Sequence, residues 1–217
     1  MRIALVNPNT TRATTDVMVG IAAEAAGAGV RVEGLTARFG APLITDPDAL
    51  DIAAQAVAAL RPDMARFDAV IVSAFGDPGL EALRAQLGIP VTGIAEAGMA
   101  EAGIGGRRFA VVTTTPRLVA RIDDCALRYH AEGYGGTWTT PGDPAAVMAE
   151  PARLDAALTD AIHEAVDAGA AEAVVIGGGP LAMAARALAG ISPVPLIEPV
   201  PAAVRLTVMR LGLEVEA

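Results

Sequence analysis

Apolar runs of about four to six residues alternate along the chain with longer stretches in which apolar positions recur every three or four residues. The short runs fit strands buried on both faces, and the longer pattern fits amphipathic helices, so the order predicts βα units and a mostly parallel sheet. Strands are expected near 2–6, 30–35, 68–73, 108–113 and 172–177, with shorter ones near 90–93 and 194–197. Helices are expected over 10–27, 48–60, 79–87, 94–103, 116–128, 151–169, 180–189 and 199–212. Thr10 or Thr11, Asp46 and Asp77 stand where each can cap the helix that follows it, and Pro78, Pro116 and Pro180 sit in first-turn positions. Gly27, Gly88 and Gly169 mark expected helix ends.

Sliding the chain on itself by about a hundred residues reveals an internal repeat. Asp68-Ala-Val-Ile-Val-Ser-Ala74 matches Glu172-Ala-Val-Val-Ile-Gly-Gly178 position for position. Each copy continues through a Gly/Pro turn into an Ala/Leu/Arg helix, then a Pro-Val pair (Pro90-Val91, Pro193-Val194), then a glutamate, Glu96 or Glu198. Ile3-Ala-Leu-Val-Asn7 corresponds in the same way to Phe109-Ala-Val-Val-Thr113. The fold class expected is therefore α/β, in two pseudo-symmetric halves, 1–100 and 101–198, with the C-terminal helix (199–217) packing back on the first. Ligands of open parallel sheets sit beyond the carboxyl ends of the strands. A cleft between the halves should then be lined by Asn7, Asn9, Thr10, Ser73, Ala74 and Phe75 on one side, and by Thr113, Thr114, Thr115, Gly177, Gly178 and Gly179 on the other.

Composition narrows the chemistry. The 217 residues are 53% hydrophobic and 19% charged, too apolar for disorder. All sixteen cationic side chains are arginine; the absence of lysine removes Schiff-base mechanisms, pyridoxal phosphate chemistry and the phosphate-binding lysine loop. A net charge of −9 without a basic stripe argues against a nucleic-acid partner. One cysteine and two histidines (His130, His163) cannot build a cysteine-rich or three-histidine zinc site, which leaves open only an all-carboxylate magnesium or manganese site. No stretch reads as a signal peptide or membrane span, so a cytoplasmic enzyme or binding protein is the default expectation.

At the cleft, the loops Phe75-Gly-Asp-Pro-Gly79 and Gly177-Gly-Gly-Pro180 would aim backbone N–H groups and helix starts at a ligand, which suits a carboxylate or polarised carbonyl. The same glycines also serve tight βα turns. Catalytic candidates are few: Ser73, for which no lysine or histidine is near to activate the hydroxyl, and the repeat-equivalent Glu96 and Glu198, which read equally as paired carboxylates or as struts at the base of the cleft. Asp77 reads as the cap of its own helix. The segments 38–48 and 130–143, the second with Tyr134 and Trp138 among glycines, are long connections positioned to cover the pocket.

The strings Ile3-Ala-Leu-Val-Asn-Pro-Asn-Thr-Thr11, Phe75-Gly-Asp-Pro-Gly-Leu80, Gly93-Ile-Ala-Glu-Ala97 and Phe109-Ala-Val-Val-Thr-Thr114 resemble the hydantoin racemase family of the aspartate/glutamate racemase superfamily. The resemblance runs in order over nearly the whole chain. It implies cofactor-independent racemisation of a small carboxylate or a cyclic ureide such as a hydantoin, with two thiols flanking the substrate, and a homo-oligomer. The chain departs from that pattern at both thiol positions, which are Ala74 and Gly178 here. Cys125 lies within the Val119-Ala-Arg-Ile-Asp-Asp-Cys125 helix, away from the strand ends, so the two-thiol mechanism is not expected. Two readings follow: an enzyme of altered, non-thiol chemistry, including hydrolysis or decarboxylation, which is the working expectation; or a catalytically silent relative that binds the same class of ligand.

Overall fold

The computed structural model describes residues 1–213, so the last four residues of the expected C-terminal segment lie outside it. In chain order the elements are β1 (Arg2–Asn7), α1 (Arg12–Ala26), β2 (Arg31–Thr36), α2 (Pro47–Ala59), α3 (Arg61–Met64), β3 (Ala69–Val72), α4 (Leu80–Gln86), β4 (Val91–Gly93) and α5 (Ile94–Ala102). They continue as β5 (Phe109–Thr113), α6 (Val119–His130), β6 (Tyr134–Thr139), α7 (Pro144–Met148), α8 (Pro151–Asp167), β7 (Ala173–Ile176), α9 (Ala182–Leu188), β8 (Leu196–Ile197) and α10 (Pro199–Arg210). Two four-stranded, all-parallel sheets result, ordered β2-β1-β3-β4 and β6-β5-β7-β8. The repeat seen in the sequence is thus a repeat of sheet topology.

Strand alternation sorts the apolar side chains into a shared core and two outer ones. Ile3, Leu5 and Ile71 of the first sheet meet Phe109, Val111 and Val175 of the second in one central cluster. Their neighbours point the other way: Ala4, Val6, Val70 and Val72 pack under α2 and α4, while Ala110, Val112, Val174 and Ile176 pack under α8 and α9. Because both faces are buried, the strands read as unbroken apolar runs.

The two halves exchange their last helices. α5 leaves β4 and packs on β7 and β8 of the second sheet; α10 leaves β8 and packs on β3, β4 and α1 of the first, and the two helices lie against each other. Gly98 permits the first crossing, since a Cβ there would come within 3.0 Å of Val175 Cγ1. Ion pairs fasten the second: Arg205 with Glu101 at 2.7 Å, and Arg210 with Glu96 at 2.7 Å.

The expectation for the second long connection fails. The segment 130–143 is no cover for a pocket, because Tyr134–Thr139 forms the edge strand β6. Gly135 and Gly136 read as loop residues, but they lie at a register shift against β5, and Gly136 (φ +117°) faces the Trp138 ring. Trp138 packs against the outer core of the second half, and the Tyr134 hydroxyl bonds Asp123 and Thr137.

Candidate functional site

The carboxyl ends of β1, β3, β5 and β7 converge on a cavity of about 550 Å³, its mouth included. At the end of β1 the Asn-Pro-Asn-Thr string is fixed by its own side chains. Asn7 Nδ2 donates to Asn9 Oδ1 (2.9 Å) and Thr15 Oγ1 (3.0 Å), while Asn9 and Thr11 N–H donate to Asn7 Oδ1 (3.1 Å) and Asn9 Oδ1 (2.9 Å). Asn7 is therefore consumed by the turn, and Asn9 is the member of the string that lines the cavity.

β3 delivers Ser73, Ala74 and Phe75 to the wall. The chain then turns through left-handed Gly76 (φ +103°), Asp77 (φ +50°) and Gly79 (φ +77°), which reverses it tightly enough to start α4. Opposite, β5 and β7 contribute Thr114 and Thr115, and Gly177 to Leu181. Among the described residues, the backbone N–H groups of Ala74, Phe75 and Gly179 donate to no protein acceptor. The remaining walls are Leu43 and Ile44, from the connection expected to cover the pocket, with Leu118, Ile122 and Met148. Arg117 meets Asp46 at 3.4 Å and ties that connection to the second half.

Of the residues singled out from the sequence, Asn9, Ser73, Ala74, Phe75, Thr114, Gly178 and Gly179 come together around this cavity; Thr10, Thr113, Glu96 and Glu198 do not line it. Thr113 is fully buried, with its hydroxyl donating to Gly177 O at 2.8 Å, so it braces β5 against β7. Thr10 spends its N–H on Ala41 O. The two glutamates occupy equivalent places, each against the arginine of the preceding helix: Glu96 with Arg84 (2.6 Å) and Glu198 with Arg186 (2.9 Å). Burial opposes the charge on Glu96, but hydrogen bonds and charge from Arg210 and Arg84 outweigh it and hold the carboxyl below its ordinary range.

Asp77 differs from its expected role. Its carboxylate does not cap α4; it accepts from Ala95 N (2.9 Å) and Glu96 N (2.8 Å) and caps α5 instead. Burial pushes its pKa up to about 7, against the lowering effect of those two bonds.

Leu118, Ile122 and Met148 were not foreseen. Leu118 and Ile122 show as an i,i+4 apolar pair facing the strand ends. Met148 depends on α7, whose start is signalled by Asp143-Pro144 and realised as an Asp143 cap on Ala146 N (2.9 Å).

No acid, base or thiol stands among the lining side chains. Ser73 Oγ donates to Met18 Sδ at 3.0 Å and has no basic partner. Cys125 is buried on α6, and burial, aided by the charge of Asp77, pushes its thiol far above the ordinary range. Among the described residues no three His, Cys, Asp or Glu side chains cluster as a metal-ligand set, and no helix is long and apolar enough to cross a membrane.

Comparison with known proteins matches residues 3–207 to the Asp/Glu/Hydantoin racemase family. The chain is 30% identical over 216 residues to a hydantoin racemase of Paenarthrobacter aurescens, covering 95% of this chain and 89% of that protein. It is 35% identical over 146 residues to a hydantoin racemase of Rhizobium meliloti, covering 67% of this chain and 61% of that one. The crystal structure of an allantoin racemase from Pseudomonas fluorescens superposes with a TM-score of 0.89 at 30% identity, over 100% of this chain and 94% of that one.

Proposed function

The chain belongs to the Asp/Glu/Hydantoin racemase family, and from that premise we propose that its inter-half cavity binds a small, neutral cyclic ureide of the hydantoin type without shuttling a proton between two side-chain bases. One observation carries the reading: the cavity lies at the carboxyl ends of strands from both sheets, and its side chains are apolar or neutral polar throughout.

Racemisation at a carbon acid needs a base on one face of the substrate and an acid on the other. The resemblance assigns those roles to thiols at positions that hold Ala74 and Gly178, a methyl group and a hydrogen. The hydroxyls of Ser73, Thr114 and Thr115 are too weakly basic to replace them unaided. What remains is a binding surface. Backbone N–H groups at the ends of β3 and β7 suit ureide carbonyl oxygens, the Asn9 side-chain NH2 can donate, its oxygen being taken by Asn7 and Thr11, and the Ile44, Ile122 and Met148 wall suits an apolar ring substituent. An amino acid substrate would bring an ammonium group and a carboxylate into a cavity with no counter-charge, and desolvating them there is costly.

Calorimetric titration with neutral 5-substituted hydantoins, allantoin, aspartate and glutamate tests the proposal. Saturable binding of a hydantoin or allantoin, with no Cα–H exchange in deuterated water, is the expected result. Catalysed exchange or a new product would return the chain to the enzymes of non-thiol chemistry. Preferential binding of aspartate or glutamate would overturn the ligand class.

A further inference from the structure

Asp77 carries more than a helix cap. It follows the cavity wall formed by Ala74 and Phe75, its N–H donates to Ala74 O at 3.0 Å, and its side chain reaches across to the start of α5. The reach is built into the fold at both ends. Asp77 adopts a left-handed backbone (φ +50°), which aspartate tolerates better than most residues. Gly93 supplies the room, because a Cβ there would lie inside the van der Waals envelope of the Asp77 carboxyl group.

A second cavity, separate from the one already described, opens on the other side of this turn between α2 and α6 and includes Asp77 in its lining. It is polar, and Asp77, 6% exposed as a residue, is part of its lining. The groups facing Asp77 pull in both directions. Arg84 on α4 favours its charge and Glu96 on α5 opposes it, while Cys125 and Tyr129 on α6 feel its field. The second cavity adds Asp51 from α2 and Arg121, Asp124 and Arg128 from α6, with Arg121 held by Asp51 at 2.7 Å. Among the described residues no arginine forms a salt bridge with Asp77.

We propose that Asp77 is a proton-linked strut: ionised, it ties the Ala74–Phe75 wall of the ligand cavity to the start of α5, and protonated through the second cavity it lets that wall slacken and ligand affinity fall. Asp77 is a positioning residue, since it does not line the ligand cavity. An ionised carboxylate accepts at both oxygens, as the two N–H groups of Ala95 and Glu96 require. A bound proton occupies a lone pair of one oxygen and removes the charge, so the hydrogen bonds from Ala95 and Glu96 weaken. Burial brings the midpoint of this change to about 7, where ordinary shifts in pH operate it.

The ligand part of this inference rests on the binding proposed above; the proton linkage does not, and one experiment reads both. The intact protein, labelled with 13C and 15N, is titrated between about pH 5 and 9 by NMR, following the Asp77 carboxyl carbon and the amides of Ala74, Phe75, Ala95 and Glu96. Calorimetry with neutral 5-isopropylhydantoin at about one pH unit on either side of the midpoint follows affinity.

The expected result is a carboxyl midpoint near 7, with all four amides moving in step. The ionised fraction then falls from about 0.9 to about 0.1 across the two points, and apparent affinity drops by about tenfold. Asp77→Asn, neutral and isosteric, should keep the weak affinity at both pH values and lose the amide titration. A midpoint below about 5 would overturn the proposal, as would wall amides that ignore a midpoint near 7, or a hydantoin affinity that is flat with pH. If the hydantoin does not bind at all, the ligand proposal fails, and the linkage is still decided by the amides.

Discussion

Gly93→Ala separates a contact from a backbone effect unusually well. Gly93 has φ −93° and ψ 147°, extended values open to any residue, so alanine meets no backbone strain. Its methyl group would instead occupy the place of the Asp77 carboxyl group and drive it off the N–H groups of Ala95 (2.9 Å) and Glu96 (2.8 Å). Hydrogen bonds to a charged group contribute about 1.5–3 kcal/mol each, and alanine returns about 0.4–1 kcal/mol by restricting the unfolded chain. The net loss is about 2–6 kcal/mol, which for a chain of this size lowers Tm by roughly 5–20 °C. Urea and thermal unfolding near pH 8, followed by circular dichroism, measure it. A double-mutant cycle with Asp77→Ala assigns it: with the carboxylate already gone, the added methyl should cost under about 1 kcal/mol. If Gly93→Ala alone costs less than about 1 kcal/mol, or costs the same in both backgrounds, the cap described for α5 is wrong.

Other consequences are simpler to read. Glu96→Gln, which leaves Arg84 and Arg210 sharing a neutral partner in a place where the carboxylate is 12% exposed, should cost about 1.5–3 kcal/mol near neutral pH. Because the folded pKa of Glu96 is depressed, that contribution is complete above the unfolded value near 4.5 and is lost as pH falls through the folded one; unfolding curves of the two proteins should therefore converge in acid and diverge above it. Iodoacetamide applied to the folded protein near pH 8 should leave Cys125 unmodified by mass spectrometry, since its thiol is buried and held protonated; rapid alkylation would contradict that burial. Ser73→Ala, which removes only a hydroxyl donating to a thioether, should shift stability by under about 1 kcal/mol and ligand affinity by less than about threefold; loss of binding would show that Ser73 contacts the ligand directly.

What the sequence made legible follows from locality. Both-face burial turned the central strands into apolar runs, and the repeat exposed the matched sheets before any coordinate was known. The repeat set Glu96 and Glu198 at matching positions, but their ion pairs with Arg84 and Arg186 appear only in the structure. β6 escaped because an edge strand with two glycines has neither alternation nor an apolar run. Asp77 escaped because a cap is read from the helix that follows it, whereas this carboxylate reaches a helix 18 residues on, through space that Gly93 leaves empty. The C-terminal helix was expected to pack back on the first half, but nothing local marked α5 for the second sheet, since its apolar surface does not say which sheet it will cover. At the site, Asn9, Ser73, Ala74, Phe75, Thr114, Gly178 and Gly179 were legible as a set, whereas Asn7, Thr10 and Thr113 were expected at the cavity and do not line it. Met148 was not legible, because α7 is short and its position depends on how β6 ends.

The decisive measurement is proton NMR in deuterated water, with purified protein and enantiopure 5-isopropylhydantoin and allantoin, following the Cα–H signal and optical purity while saturation transfer reports binding. Binding with Cα–H exchange no faster than in protein-free buffer is the expected result, since Ala74 and Gly178 stand where the family's resemblance places its acid and base. Exchange clearly above that background, abolished by heat denaturation and retained in Cys125→Ala, would contradict it and show that a group other than a thiol moves the proton.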